Sequence, residues 1–188
     1  MTNVRTDVEV TDLIRAQHHQ VRGLMDTIAS ASAEARKEPF ERLVRLLAVH
    51  ETAEEMIVYP VVRRLGDDAE RIVTERMTEE DRAKKALAGL EGLDSTTQEF
   101  GQRFLDFRLD VERHAEAEEA QVLPLLMQHD IDRRTDMARA FELAEKVAPT
   151  HAHRMAPESA VGNLLVGPLV SVVDRARDAI KAIKSARR

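Results

Sequence analysis

The sequence predicts an all-α protein: an up-down-up-down four-helix bundle with additional C-terminal helices. Three observations carry this. The 188-residue chain is 43% hydrophobic and 33% charged, with only 7 Gly and 6 Pro, a mixture that favours helices over sheets or disorder. Apolar residues recur at steps of three and four, and strand-like alternation is absent. The segments between the first four periodic runs are short, which makes neighbouring helices antiparallel.

The first helix is expected from about Thr11 to Ala33. A second starts near Pro39, a favourable first-turn residue because its missing N–H is not needed there, and runs to Leu65, with Gly66 as its stop. The third covers Asp68 to Leu93. The fourth opens on Ser95, Thr96, Thr97 and Gln98, the pattern of a capping box, and continues to about Met127. Pro60 and Pro124 fall late in their helices and are expected to kink them rather than end them. A shorter fifth helix spans Arg133 to Val147. Loop-like residues follow from Pro149 to Gly167, then an amphipathic segment from Pro168 to about Ala186. This divides the chain into a bundle, residues 1–128, and a helical extension, residues 129–188, that packs on the bundle or serves association, including a homodimer through the C-terminal helix.

A formal charge of −6 gives no electrostatic reason to bind nucleic acid. No apolar run reaches membrane-spanning length, so stable membrane insertion is not expected. Met1 to Val10 has neither the basic start nor the apolar stretch of a signal peptide, and the expected location is cytoplasmic. There is no Cys, which removes thiolate nucleophiles and iron–sulfur clusters and leaves nitrogen and oxygen as the available metal ligands.

One pattern is used twice. His50, Ala53, Glu54, Glu55, Val58 and Pro60 recur at the same offsets as His114, Ala117, Glu118, Glu119, Val122 and Pro124. Residues four apart on a helix lie on one face, so each His-x-x-x-Glu pair points two ligand atoms at one place. Both pairs sit on apolar stripes: Leu43, Leu47, His50, Glu54, Ile57, Val61 in the second helix, and Phe100, Phe104, Phe107, Val111, His114, Glu118, Val122, Leu125 in the fourth. The first helix contributes His18 within Ile14, His18, Val21, Met25, Ile28. Carboxylates buried without partners cost several kcal/mol each, and a divalent or trivalent cation is the economical compensation. The third helix has no histidine. Its stripe reads Val73, Met77, Glu80, Ala83, Leu87, Leu90, which makes Glu80 the ligand candidate there, while the surrounding charge run from Glu75 to Lys85 reads as a solvated face.

His18, the His50–Glu54 pair and the His114–Glu118 pair, with the flanking pattern to Tyr59 and Pro60, resemble the hemerythrin-like, or HHE, cation-binding domain, in its actinobacterial-type form, over roughly residues 11–128. The resemblance implies a non-haem di-iron centre of two iron ions inside the bundle. It makes His18, His50 and His114 terminal nitrogen ligands and Glu54 and Glu118 bridges. Oxygen-carrying members have histidine on the third helix, where this chain has Glu80. More carboxylate and less imidazole raises electron density on iron, which favours reactive chemistry over reversible oxygen carriage. Related members carry a loop similar to Pro149–His153 after the bundle, which makes His151 and His153 further candidates for the metal or its surroundings. Tyr59, the only tyrosine, lines the pocket or passes a proton or electron to a bound oxidant.

The function implied is a protein that binds iron and reacts with or senses O2, peroxide (H2O2) or nitric oxide (NO), in oxidative or nitrosative stress. Two other classes stay open: an oxygen- or iron-binding or sensing protein without turnover, and a zinc-bound helical interaction module. The ferritin-like arrangement is disfavoured, because it needs Glu-x-x-His on paired helices and no Glu precedes His18, His50 or His114 by three residues.

Overall fold

The apolar spacing of the first run becomes helix α1 (Val10–Ser30), which buries Val10, Ile14, Val21, Met25 and Ile28 along one face. In the computed structural model, which describes residues 8–147, a short 3-10 turn at Ala33–Ala35 leads into α2 (Lys37–Ala53) with Pro39 in its first turn. The same rod continues as a π-helical turn, Glu54–Val58, an α-helical turn, Tyr59–Val62, and a 3-10 turn, Arg63–Leu65. Gly66 stops it with φ 129° and ψ −179°, a backbone region open essentially to glycine alone. Helix α3 (Asp67–Glu91) begins with Asp67, Asp68 and Glu70, whose charges suit the positive end of the helix dipole.

Helix α4 (Gln98–Leu126) is capped by Thr97, whose Oγ1 accepts the Phe100 N–H at 3.2 Å. The cap therefore lies two residues beyond Ser95, where the sequence pattern had placed it. Asp94 takes the Thr96 N–H at 2.9 Å and holds the preceding turn. Helix α5 (Ile131–Val147) packs against α1 and α2, burying Met137, Ala138, Ala140, Phe141 and Ala144. Among the described residues no helix is long and apolar enough to cross a membrane.

The π turn has a local cause and a wide effect. Pro60 has no N–H to give the carbonyl of Met56, and its ring crowds that carbonyl. Widening the turn relieves the conflict: the Tyr59 N–H reaches back five residues to the Glu54 carbonyl. The extra residue rephases everything after it. Val58, Tyr59 and Val62 turn inward and are buried, whereas Val61, expected inside from uniform spacing, is half-buried. Pro124 lies inside α4 only two residues from its end, and the helix runs through it. Near that end Leu126 is buried and Leu125 half-buried. In α3 two expectations need correction: Arg76, within the run read as a solvated face, is 4% exposed, and Met77, on the stripe expected inside, is half-buried. The Arg76 guanidinium is held by Glu79 at 2.6 Å.

The core comes in two parts. One gathers Val10, Ile14, Ile57, Tyr59, Val62, Val73, Val122, Leu126 and Phe141. The other gathers Val21, Met25, Leu43, Leu47, Leu87, Phe100, Phe104, Phe107 and Val111. Each large apolar side chain so buried stabilises the fold by about 1.5–3 kcal/mol. On every stripe the break between the two clusters falls at the polar residues: His18 on α1, His50 and Glu54 on the second rod, Glu80 on α3, and His114 and Glu118 on α4. A polar layer is thus sealed between two greasy ones.

Candidate metal centre

Four elements deliver six side chains to that layer. His18 is 2% exposed, His50 3%, Glu54 0%, Glu80 1% and Glu118 0%; His114 is half-buried. Ligand atoms of His18, His50, Glu54 and Glu118 all lie within 4.8 Å of one another, and so do those of Glu54, Glu80 and His114. Glu54 belongs to both groups. His18 Nε2 is 3.3 Å from Glu118 Oε2, and His50 Nε2 is 3.3 Å from Glu54 Oε1. His114 Nε2 lies 4.0 Å from both Glu80 Oε1 and Glu118 Oε2. The structure therefore brings together all six residues of the sequence-derived ligand set. His151 and His153, the loop candidates, lie outside the described residues, as does the Pro168–Ala186 segment.

The donor atoms are aimed and unspent. Both oxygens of Glu54, both of Glu118, Glu80 Oε2, His18 Nε2 and His114 Nε2 are buried without a hydrogen-bond partner. Leaving one such group unsatisfied costs about 1–3 kcal/mol, more when it is charged. So many in one layer is intelligible if a cation takes their lone pairs. Each ring, meanwhile, is held from its other nitrogen. His18 Nδ1 is 2.8 Å from Glu119 Oε1, which Arg22 also holds at 3.0 Å. His114 Nδ1 is 3.0 Å from Glu79 Oε2, and Glu79 is in turn gripped by Arg76. His50 Nδ1 is 2.5 Å from Gln17 Oε1. Carboxylate and amide oxygens only accept, so Nδ1 donates in each case and Nε2 is the atom turned to the centre. Metal-binding histidines are oriented in this way.

Sequence reasoning missed these supporting residues. Glu119 and Glu79 each sit next to a buried carboxylate of the layer, about 100° round the helix, where a pattern search for the buried face discards them. The signal available was pairing on the polar side: Arg22 four residues after His18, and Arg76 three before Glu79.

Electrostatics divide the carboxylates. Burial, then the charges of Glu118 and Glu80, push Glu54 well above the ordinary carboxylate range. Burial raises Glu80 as well, followed by Glu51, while the Tyr59 hydrogen bond opposes it. Burial works to raise Glu118, but the adjacent His18, His114 and His50 rings outweigh it and hold its carboxyl at about 2. His50 is lowered to about 3 by burial and by the neighbouring His18, so its ring is neutral and able to ligate. Tyr59, 1% exposed, donates its hydroxyl to Glu80 Oε1. Burial and the charges of Glu118, Glu54 and Glu80 raise its phenol further, so it keeps its proton. Lys84 Nζ spans Glu55 at 2.5 Å and Glu51 and Glu80 at 3.6 Å, closing the layer from the side of α3.

A cavity of about 20 Å³ adjoins the centre, lined by His18, His50, Glu80 and His114 and by apolar side chains that include Leu47 and Val111. That is room for one water-sized molecule. Three imidazole nitrogens and three carboxylates, with no thiolate, suit borderline and hard first-row metals such as iron, manganese or zinc.

Comparison with known proteins gives a family and a fold. The family model described as Hemerythrin HHE cation binding domain matches residues 9–126. An uncharacterised hemerythrin-like protein of Schizosaccharomyces pombe is 24% identical over 172 residues, covering 90% of this chain and 85% of that one. The fold is similar to that of a crystal structure of a hemerythrin HHE cation-binding-domain-containing protein from Mycobacterium kansasii. That match has a TM-score of 0.63 at 19% identity and covers 74% of this chain and 88% of the other. The matched stretch contains all six converging side chains, and the chain belongs to the hemerythrin HHE cation-binding domain family.

Proposed function

We propose that this protein holds two iron ions in a non-haem di-iron centre and reacts with or senses O2, peroxide or nitric oxide, in the cytoplasm, under oxidative or nitrosative stress. One observation carries the reading: two ligand groups, His18–His50–Glu54–Glu118 and Glu54–Glu80–His114, meet at a shared Glu54. A single ion could not use both groups fully, whereas two ions would each have a group of their own, with Glu54 available to both.

When bound, iron supplies the redox equivalents and the Lewis acidity. The chain's own residues do the rest. The three Nε2 atoms and the Glu54, Glu80 and Glu118 oxygens bind. Glu119, Glu79 and Gln17 orient the rings. The apolar clusters above and below exclude water. The small cavity limits the approach to ligands of a few atoms. Tyr59 keeps its phenolic proton and holds it toward Glu80 Oε1 at the edge of the centre. The carboxylate in place of a third-helix imidazole supports turnover over reversible carriage.

The test is metal analysis with an optical spectrum on protein made in iron-replete cells. The expected result is two iron atoms per chain, a visible charge-transfer absorption, and loss of hydrogen peroxide that a His114→Ala variant abolishes. A colourless protein holding only zinc would overturn the redox reading. Reversible spectral change under oxygen, without consumption of any oxidant, would assign binding without turnover.

A further inference from the structure

Helix α5 lies beyond the stretch that matches the family model, yet it reaches the metal layer. The Phe141 ring meets the His50 ring edge to face, with centroids 6.4 Å apart and planes at 70°. A second contact runs through Gln17 of α1. Its Oε1 lies 2.5 Å from His50 Nδ1, while its Nε2 donates to Glu145 Oε1 of α5. Gln17 and Glu145 are both half-buried.

An amide is ambiguous where a carboxylate is not. Glu119 and Glu79 present only acceptors to His18 and His114, so those rings have one available tautomer. Gln17 offers His50 an oxygen in one orientation and an NH2 group in the other. Turned the second way, it would demand a lone pair from His50 Nδ1 and put the ring proton on Nε2, the atom that faces Glu54. That tautomer cannot ligate. Something must choose between the two orientations, and the group on the far side of the amide is the carboxylate of Glu145, which accepts and cannot donate.

We infer that Glu145 is a positioning residue for the metal centre: by holding the Gln17 amide nitrogen it fixes the carbonyl toward His50 and so fixes the His50 tautomer that binds metal. The inference rests on the metal-binding reading above. It makes α5 part of the centre's machinery rather than a strut on its outside, and it acts on the Glu54–Glu118 side of the site. Losing such an orienting partner costs metal affinity about 10–100-fold.

The test uses the full chain with variants at two positions. Glu145→Leu removes the acceptor; Glu145→Gln keeps one in its side-chain carbonyl. Gln17→Glu gives His50 a group that accepts in any orientation, so Glu145→Leu placed on that background should be harmless. Two readouts are needed. Nitrogen NMR of the His50 ring in the metal-free protein should show the proton on Nδ1 in the parent chain, in Glu145→Gln and in the double variant, and a shift toward Nε2 in Glu145→Leu alone. Anaerobic cobalt(II) titration should show one ion bound about 10–100-fold more weakly in Glu145→Leu, with affinity restored in the other two. A lowered melting temperature with an unchanged His50 tautomer would overturn the inference and leave Glu145 as a simple tether. Failure of the parent chain to bind cobalt would count against the metal reading, while the NMR result would still decide the Gln17 relay.

Discussion

The Tyr59 hydroxyl donates to Glu80 Oε1 across the seam between the second rod and α3. The pairing depends on the π turn, which carries Tyr59 from a side position to the inside. Glu80 occupies the layer on the one bundle helix without a histidine, and it needs a donor from another helix because its own neighbour Lys84 stays 3.6 Å away. Tyr59→Phe keeps the ring's packing and removes the donor. It should destabilise the metal-free protein by about 1–3 kcal/mol, the cost of a buried acceptor left unpaired. Thermal unfolding reads this as roughly 2–4 °C for each kcal/mol in a chain of this size; an unchanged melting temperature would show that Glu80 draws nothing from the hydroxyl.

Stability should depend on pH in opposite ways with and without metal. Burial lifts Glu54 and Glu80 well above the ordinary 4.5, and lifts Glu51 to about 7. The folded metal-free protein therefore binds protons that the unfolded chain releases, and these three groups make it more stable as pH falls from 7 toward 4.5. His50 works the other way. Its folded value near 3 against 6.5 means the unfolded chain takes up a proton below 6.5, which removes stability as pH falls. Three groups against one leaves a net gain on acidification to about pH 5. Below 4.5 the sign reverses, because Glu118 at about 2 and His50 at about 3 then both favour the unfolded chain. A bound cation requires deprotonated ligands, so the loaded protein should instead lose stability from pH 7 to 5. Denaturant titrations at pH 7, 6 and 5, with and without chelator, check both slopes.

The two ligand groups predict unequal stoichiometries. His18→Ala strips a ligand from the group of four and leaves Glu54, Glu80 and His114 intact; one ion per chain should remain. Glu54→Ala damages both groups and should leave neither ion at stoichiometric occupancy. Metal analysis after desalting distinguishes these outcomes, and equal loss in the two variants would refute the shared role of Glu54.

Glu79 links Arg76 to His114 Nδ1. Glu79→Ala should weaken the ion on the Glu80–His114 side by about 10–100-fold while sparing the other. A cobalt titration that separates a tight and a weak phase would show this. The same variant leaves Arg76 buried without its carboxylate, so a drop in melting temperature is expected as well.

Much of this was legible in the sequence, for reasons that differ by residue. The helices, and the convergence of His18, His50, Glu54, His114 and Glu118, follow from spacing, because a polar residue inside an apolar stripe has one place to go. Glu80 was readable only as the polar residue in the right layer. Uniform spacing puts Val61 inside; the π turn ahead of Pro60 breaks that uniformity, and nothing in a periodicity count registers a five-residue turn. Leu125 sits at the last turn of α4, where Leu126 is the buried residue. Ser95 was expected to cap the fourth helix, and Thr97 does so, because Asp94 takes the turn before it. The histidine contacts of Glu79, Glu119 and Gln17 are not readable from spacing, since the ring each one holds lies on another helix.

The widened turn at Glu54–Val58 has a practical corollary for anyone rebuilding this centre elsewhere. Grafting the liganding side chains onto straight, evenly wound rods would place Glu54 correctly and then rotate Tyr59 away by about a quarter-turn or more. The transplant has to carry its irregular backbone with it, because in this molecule the distortion belongs to the coordination environment as much as any imidazole does.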